Sequence, residues 1–159
     1  MTFKDPLRVK ADPKARSKKP ELMGVCTDMD EAKVFSCATD GSVHAWNRVN
    51  GTIKLYNTTM SPLKVITASP FRRQLFATGG DAGTVYAFDA NNAVQPEAKL
   101  KGHGAPITGL CFSPVHKMLL CSSALDKKII VFDVEKKKHG FCVVVMEVGK
   151  WLPWKPVIR

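Results

Sequence analysis

Three segments of the chain share one pattern of apolar and polar positions: AKVFSCATDGSVHAWN from Ala32, RQLFATGGDAGTVYAFDA from Arg73 and KMLLCSSALDKKIIVFDV from Lys117. Each reads as an apolar strand, a few small residues, a turn with an aspartate, and a second strand that closes on an aromatic. The turn aspartates Asp40, Asp81 and Asp126 are spaced by 41 and 45 residues, and the closing aromatics Trp46, Phe88 and Phe132 by 42 and 44.

Further strands flank each pair. Leu22–Thr27, Leu63–Ser69 and Ile107–Ser113 precede the pairs, the last two running into prolines Pro70 and Pro114, which cannot donate to a ladder. Thr52–Tyr56 and Ala98–Lys101 follow the first two pairs, and Phe141–Met146 offers the same outer strand to the third. Asp40-Gly41, Asn50-Gly51 and the run Gly79–Gly83 supply hairpin turns. Each unit is therefore predicted to be a four-stranded antiparallel meander, and a period of about 40–45 residues is that of a propeller blade. The inner strands Val85–Phe88 and Ile129–Phe132 are apolar at every position, which predicts sheets covered on both faces.

The segment LKGHGAPITGLCFSP (Leu100–Pro114) leads into LLCSSALDKKIIVFDV with a Gly-His before the first strand, a Ser-Pro ending, a turn aspartate and a closing aromatic-Asp pair. It resembles a WD-repeat. The resemblance implies a hydrogen-bonded cluster within a blade, matched here by His103, Ser122 and Asp126, with Phe132 in place of the usual Trp. Phe has no donor, so the cluster is expected to be only partly made. The second repeat keeps Asp81 and Phe88 without a Gly-His, and the first keeps Asp40 and Trp46 with Asn47 in place of the Asp.

Over Leu63–Lys138, with its Cys-Phe-Ser-Pro-Val and Leu-Asp-Lys-Lys-Ile-Ile stretches, the chain is similar to the WD-repeat proteins that recruit the γ-tubulin ring complex to centrosomes and spindles. That resemblance implies an all-β propeller fragment of three four-stranded blades in an incomplete ring, since about 4–8 blades are needed for closure. It also implies a scaffold for centrosomal or microtubule-associated protein partners, located in the cytoplasm at the cytoskeleton, centrosome or spindle. The helical region through which such proteins hold the γ-tubulin complex has no counterpart here, so direct binding of that complex is not expected.

The expected organisation is a basic arm at residues 1–20, three repeats at 21–60, 61–101 and 102–138, and a non-repeat tail at 139–159. The tail, HGFCVVVMEVGKWLPWKPVIR, departs from the pattern abruptly and reads as a truncated or mis-spliced product. Three blades leave two sheet flanks uncovered, so the chain is expected to oligomerise, to borrow blades from a partner, or to be unstable.

A length of 159 residues with 45% apolar content is that of one packed domain. Apolar runs such as Cys142–Met146 fall far short of the roughly 20 residues needed to span a bilayer, and the N-terminus has no apolar signal core. No membrane association is expected, and the chain reads as intracellular. The five cysteines, Cys26, Cys37, Cys111, Cys121 and Cys142, are odd in number and show no CxxC pair, so reduced, mostly buried thiols are expected.

With 24 Lys+Arg against 14 Asp+Glu the chain carries a formal charge of +10. In a meander the loops alternate between the two ends of the sheet. Arg48, Arg72, Arg73, His116, Lys117, Lys136, Lys137 and Lys138 share one end, offset by Asp28, Asp30 and Glu31. That end and the arm would suit an acidic protein partner. Nucleic acid is the alternative, bound through the arm of a generic WD-repeat scaffold, but the loops lack the aromatic residues that stack bases.

No nucleophile motif, phosphate loop or HExxH is present, and His44, His103, His116 and His139 lack metal-ligand spacing. The reading is non-enzymatic, without metal or cofactor. His103 and His44 are read as structural and Trp46 as core. The Ser-Pro pairs at Ser61, Ser69 and Ser113 are read as turns rather than phosphorylation sites.

Overall fold

The computed structural model describes residues 19–57, 61–91 and 96–144, with the side chains of residue 57 and residues 138–144 left aside. The described residues form three four-stranded sheets, each a meander of consecutive strands. The first contains β1 (Leu22–Thr27), β2 (Lys33–Ala38), β3 (Ser42–Asn47) and β4 (Ile53–Asn57). The second contains β5 (Leu63–Ala68), β6 (Leu75–Gly80), β7 (Thr84–Asp89) and β8 (Ala98–Lys101). The third contains β9 (Ile107–Phe112), β10 (Leu119–Ala124), β11 (Lys128–Asp133) and β12 (Lys138–Val144). All neighbouring strands pair antiparallel.

Most of the expected strands stand where the pattern put them, with local shifts. β5 and β9 stop one residue before Ser69 and Ser113. The Oγ of Ser69 accepts the N–H groups of Phe71 and Arg72 at 3.3 and 3.2 Å, and that of Ser113 accepts those of Val115 and His116 at 3.2 and 2.9 Å. Both serines therefore turn the chain. β12 begins at Lys138, three residues earlier than the outer strand expected at 141–146, and pairs with the whole of β11. The expected arm at residues 1–20 and tail at 139–159 lie outside the described residues, except for 19–20 and 139–144.

The sheets stack in chain order: β1 and β2 touch β5, and β5 and β6 touch β9. Cross-strand partners share a face, so each sheet has a leading face toward the sheet before it and a trailing face toward the sheet after it. Phe35, Cys37, Val43, Ala45 and Tyr56 on the trailing face of the first sheet pack against Leu63, Phe76, Tyr86 and Phe88 on the leading face of the second. Its centre is aromatic. Phe76 stacks on Phe35 at 4.4 Å and on Phe88 at 5.1 Å, and Tyr56 meets Phe76 and Phe88 edge-on at 5.4 and 5.6 Å. The Tyr56 hydroxyl donates to the Ala90 carbonyl at 2.9 Å. The second core joins Leu75, Ala77, Val85, Ala87 and Leu100 of the second sheet to Ile107, Phe112, Leu120, Ile130 and Phe132 of the third.

Only the second sheet is covered on both faces among the described residues. Val85–Phe88 is buried throughout, as its composition predicts. Ile129–Phe132 is not: Ile130 and Phe132 are buried, whereas Ile129 and Val131 on the trailing face are half-buried. The same composition receives two environments because nothing among the described residues packs behind the third sheet. The described sheets do not close into a ring.

Candidate functional site

Three groups of residues carry the candidate chemistry: the polar cluster of the third sheet, the basic loop end, and the open leading face of the first sheet.

The first cluster is assembled from the segment before β9, from β10 and from the β10–β11 turn. His103 places Nε2 2.7 Å from the Ser122 Oγ, and Nδ1 3.0 and 3.1 Å from the two carboxylate oxygens of Asp126. The backbone N–H groups of Gly104 and Lys128 donate to Asp126 at 3.0 and 3.1 Å. Burial disfavours the charged carboxylate, but the bonds from Gly104, His103 and Lys128 outweigh it and hold Asp126 below the ordinary carboxylate value. The Ser122 hydroxyl also reaches the Ile130 carbonyl at 3.3 Å. Phe132, 1% exposed, packs beside this cluster as apolar filling and adds no donor.

An Asp–His–Ser row has the composition of a hydrolase relay. Here Ser122 is 1% exposed and the His103 side chain is fully buried, so no substrate can approach the hydroxyl. The row ties the approach to β9 onto the β10–β11 turn. Among the described residues no group of His, Cys, Asp and Glu could hold a metal ion.

The other repeats depart from this arrangement in different ways. The N–H groups of Thr39, Asp81 and Leu125 each donate to the carbonyl of the residue just before their sheet's first strand: Glu21, Pro62 and Pro106. These three positions are therefore equivalent, and Asp81 stands one residue ahead of the slot that Asp40 and Asp126 occupy; Ala82 fills that slot in the second sheet. Asp81 pairs instead with Lys64. Asp40 caps its own turn, accepting from the N–H and hydroxyl of Ser42 at 2.9 and 2.6 Å. At the position of Ser122, Thr78 donates to the Val65 carbonyl at 2.8 Å, while the buried Ser36 Oγ has no partner. His44, opposite Ser36, is buried, and desolvation lowers its pKa against an opposing pull from Asp40.

Arg48, Arg72, Arg73, Lys117, Lys136 and Lys137 lie in loops at one end of the three sheets. Arg48, Ala90 and Val134 donate their N–H groups to the carbonyls of Ala32, Gln74 and Met118, so in every sheet the two loops of that end are laced together. Its charge is less uniform than its sequence. Arg72 pairs with Asp89 at 3.3 Å, Arg73 with Asp30 at 2.9 Å and Lys136 with Asp133 at 3.4 Å. Arg48, Lys117 and Lys137 are exposed and have no ion-pair partner among the described residues. The side chain of Lys138 lies outside the described residues.

Trp46 does not belong to either buried core cluster, contrary to its reading as core. It is half-buried on the leading face of the first sheet, where it lines an apolar cleft of about 600 Å³ with Leu22, Met23, Val25, Val34 and Ser36. A closing Trp and a closing Phe read alike in the repeat; what distinguishes them is that no sheet among the described residues packs in front of Trp46.

Burial raises the thiols of Cys26, to about 12, and of Cys37 and Cys121, which suits inert reduced cysteines. Cys111 is the exposed one among the described cysteines, because it stands on the trailing face of the third sheet, which no described sheet covers. The Cys142 side chain lies outside the described residues.

Comparison with known proteins identifies the repeat. Residues 94–133 match the WD40 family, described as "WD domain, G-beta repeat". The chain is 38% identical over 77 residues to Protein NEDD1 of Mus musculus, covering 48% of this chain and 12% of that protein. It is 29% identical over 107 residues to Histone acetyltransferase type B subunit 2 of Candida glabrata, covering 67% of this chain and 26% of that one. The chain thus spans about a tenth to a quarter of the length of these relatives. Among solved structures, that of U3-55K superposes with a TM-score of 0.71 at 18% identity, covering 80% of this chain and 40% of the other. The WD40 repeats of RRP9 superpose equally well, at 19% identity. These structures establish the propeller fold.

Proposed function

We propose that this WD40-repeat chain is a non-catalytic protein-interaction scaffold, and that its role lies in microtubule organisation. The WD40 repeat and the propeller architecture carry the first statement: stacked sheets hold loops rigidly at two ends, and partners read the loop side chains. The likeness to Protein NEDD1 over about half of the chain supports the second. It is joined by the resemblance of Leu63–Lys138 to the γ-tubulin recruitment family. Buried Ser122 and His103 support the absence of catalysis, because the Asp–His–Ser row is spent on holding the third sheet together.

The partner surface in this reading is the laced loop end. Arg48, Lys117 and Lys137 point to an acidic protein, with Arg72, Arg73 and Lys136 already engaged by acids of the chain itself. The partner is a centrosomal or microtubule-associated protein.

Expression of the tagged chain in dividing cells, with imaging of centrosomes and spindle poles, tests the reading. Enrichment at those structures, weakened by Arg48→Glu with Lys117→Glu, is the expected result. A diffuse distribution overturns the microtubule role while leaving the scaffold reading intact.

A further inference from the structure

Loop tips are ordinarily polar, yet the laced loop end carries an exposed apolar side chain in every sheet: Met29 at 55%, Phe71 at 37% and Val115 at 73%, with Val49 at 84% beside Arg48. At the opposite end only Leu125 is comparable among the described residues, and the other exposed large apolar residues lie in β1 and β4.

Two of these tips are built alike. The Ser69 Oγ accepts the N–H of Phe71, and the Ser113 Oγ that of Val115. The carbonyls of the next residues, Arg72 and His116, accept the N–H groups of Leu75 and Leu119. Phe71-Arg72-Arg73 and Val115-His116-Lys117 therefore occupy the same backbone positions in adjacent sheets, an apolar tip followed by two basic residues. Hydrogen bonds within each loop fix both tips in advance, which lowers the ordering cost of binding. Packed sheets stand about 10 Å apart. A chain in the polyproline-II form returns to the same side every third residue, roughly 9 Å further on, and so can set one apolar residue against each tip.

Charge selects what lies between those anchors. Over the third sheet Lys117 and Lys137 are exposed without ion-pair partners among the described residues, against Glu135, while Lys136 is held by Asp133. Over the second sheet Arg73 stays largely exposed although it pairs with Asp30. Over the first sheet Met29 is followed by Asp30 and Glu31, opposed by Arg48. The end is thus basic over the second and third sheets and balanced over the first.

We infer that the Phe71 and Val115 tips dock an extended acidic segment of a protein partner, with apolar residues three apart seated on the tips and carboxylates facing Arg73, Lys117 and Lys137. The inference rests on the reading of this end as the partner surface, and adds that charge alone does not make a partner.

Fluorescence anisotropy of the 159-residue chain with dye-labelled peptides of repeating Leu-Asp-Asp, Ser-Asp-Asp or Leu-Lys-Lys tests it. Leu-Asp-Asp should bind about tenfold more tightly than Ser-Asp-Asp, and Leu-Lys-Lys should bind more weakly than either. Phe71→Ser with Val115→Ser should bring Leu-Asp-Asp down to the level of Ser-Asp-Asp and leave the latter unchanged. Lys117→Glu should weaken both acidic peptides, and Leu125→Ser, at the opposite end, neither. These positions are exposed, so circular dichroism of each variant should match the wild type. Equal binding of Leu-Asp-Asp and Ser-Asp-Asp to the wild-type chain overturns the inference whatever the variants do, as does equal binding of Leu-Lys-Lys. A preference for Leu-Asp-Asp that survives the double serine variant, or is lost in Leu125→Ser, also overturns it. Enrichment at centrosomes without that preference defeats this inference alone; the preference with a diffuse distribution in cells defeats the microtubule role alone.

Discussion

Ser36 in the first sheet and Ser122 in the third occupy the same register position, yet one is an orphan and the other is the middle of a network. The difference originates ahead of the first strand. Gly102-His103 precedes β9 and brings an imidazole down onto Ser122, whereas neither the residues before β1 nor those between β4 and β5 include a histidine. The second sheet solves the problem within itself, turning Thr78 back to the Val65 carbonyl. A repeat therefore tolerates loss of its signature cluster when the strand has a local acceptor or a neighbouring sheet supplies burial. The first sheet has neither on its leading face.

The largest effect should come from the covered side of this comparison. Phe76→Ala empties the centre of the aromatic stack between the first and second sheets and should cost about 3–5 kcal/mol, read by chemical denaturation. Unfolding of the whole chain at room temperature would be the extreme of the same result.

Next come the serines. Ser122→Ala removes a hydroxyl that serves His103 and should cost about 1–2 kcal/mol, while Ser36→Ala removes an unsatisfied group and should be neutral or slightly stabilising. Equal losses at both positions would overturn the reading of Ser36 as an unsatisfied group.

Acid should separate the two sheets by pH. As pH falls below 6.5, the ordinary histidine value, the unfolded chain binds a proton on His44 that the folded chain resists, so stability declines. Below the ordinary carboxylate value of 3.8 the unfolded chain also protonates Asp126 before the folded one does, and the third sheet loses its tie. His44→Gln should remove the first decline and Asp126→Asn the second, in thermal melts across pH 3–8 (about the range of the two ordinary values).

The smallest effect concerns the turns. Gly41, Gly83 and Lys127 occupy equivalent positions with φ of 82°, 67° and 61°, a region in which a lysine is strained. Lys127→Gly should stabilise the third sheet by about 0.5–1 kcal/mol, seen as a raised denaturation midpoint.

The meanders were legible in the sequence because a strand's alternation and a turn's Gly or Asp are local properties: β1 and β8 stand residue for residue where the pattern placed them. His103, Ser122 and Asp126 were legible through their resemblance to a repeat whose spacing they keep. Asp81 was misleading for the converse reason, since aligning aspartates by identity slipped the second repeat by one residue, and only the backbone bonds of Thr39, Asp81 and Leu125 restored the register.

Composition could not say which apolar face would be covered. Val85–Phe88 and Ile129–Phe132 have the same character, and Trp46 has the same role in its repeat as Phe88. Likewise, the charge of the loop end was countable in the chain, but the pairing of Arg73 with Asp30 across two sheets depended on how those sheets stack. Strand and turn are decided by neighbours in the chain. Burial and charge compensation are decided by neighbours in space, and among the described sheets only the second has a neighbour on both faces.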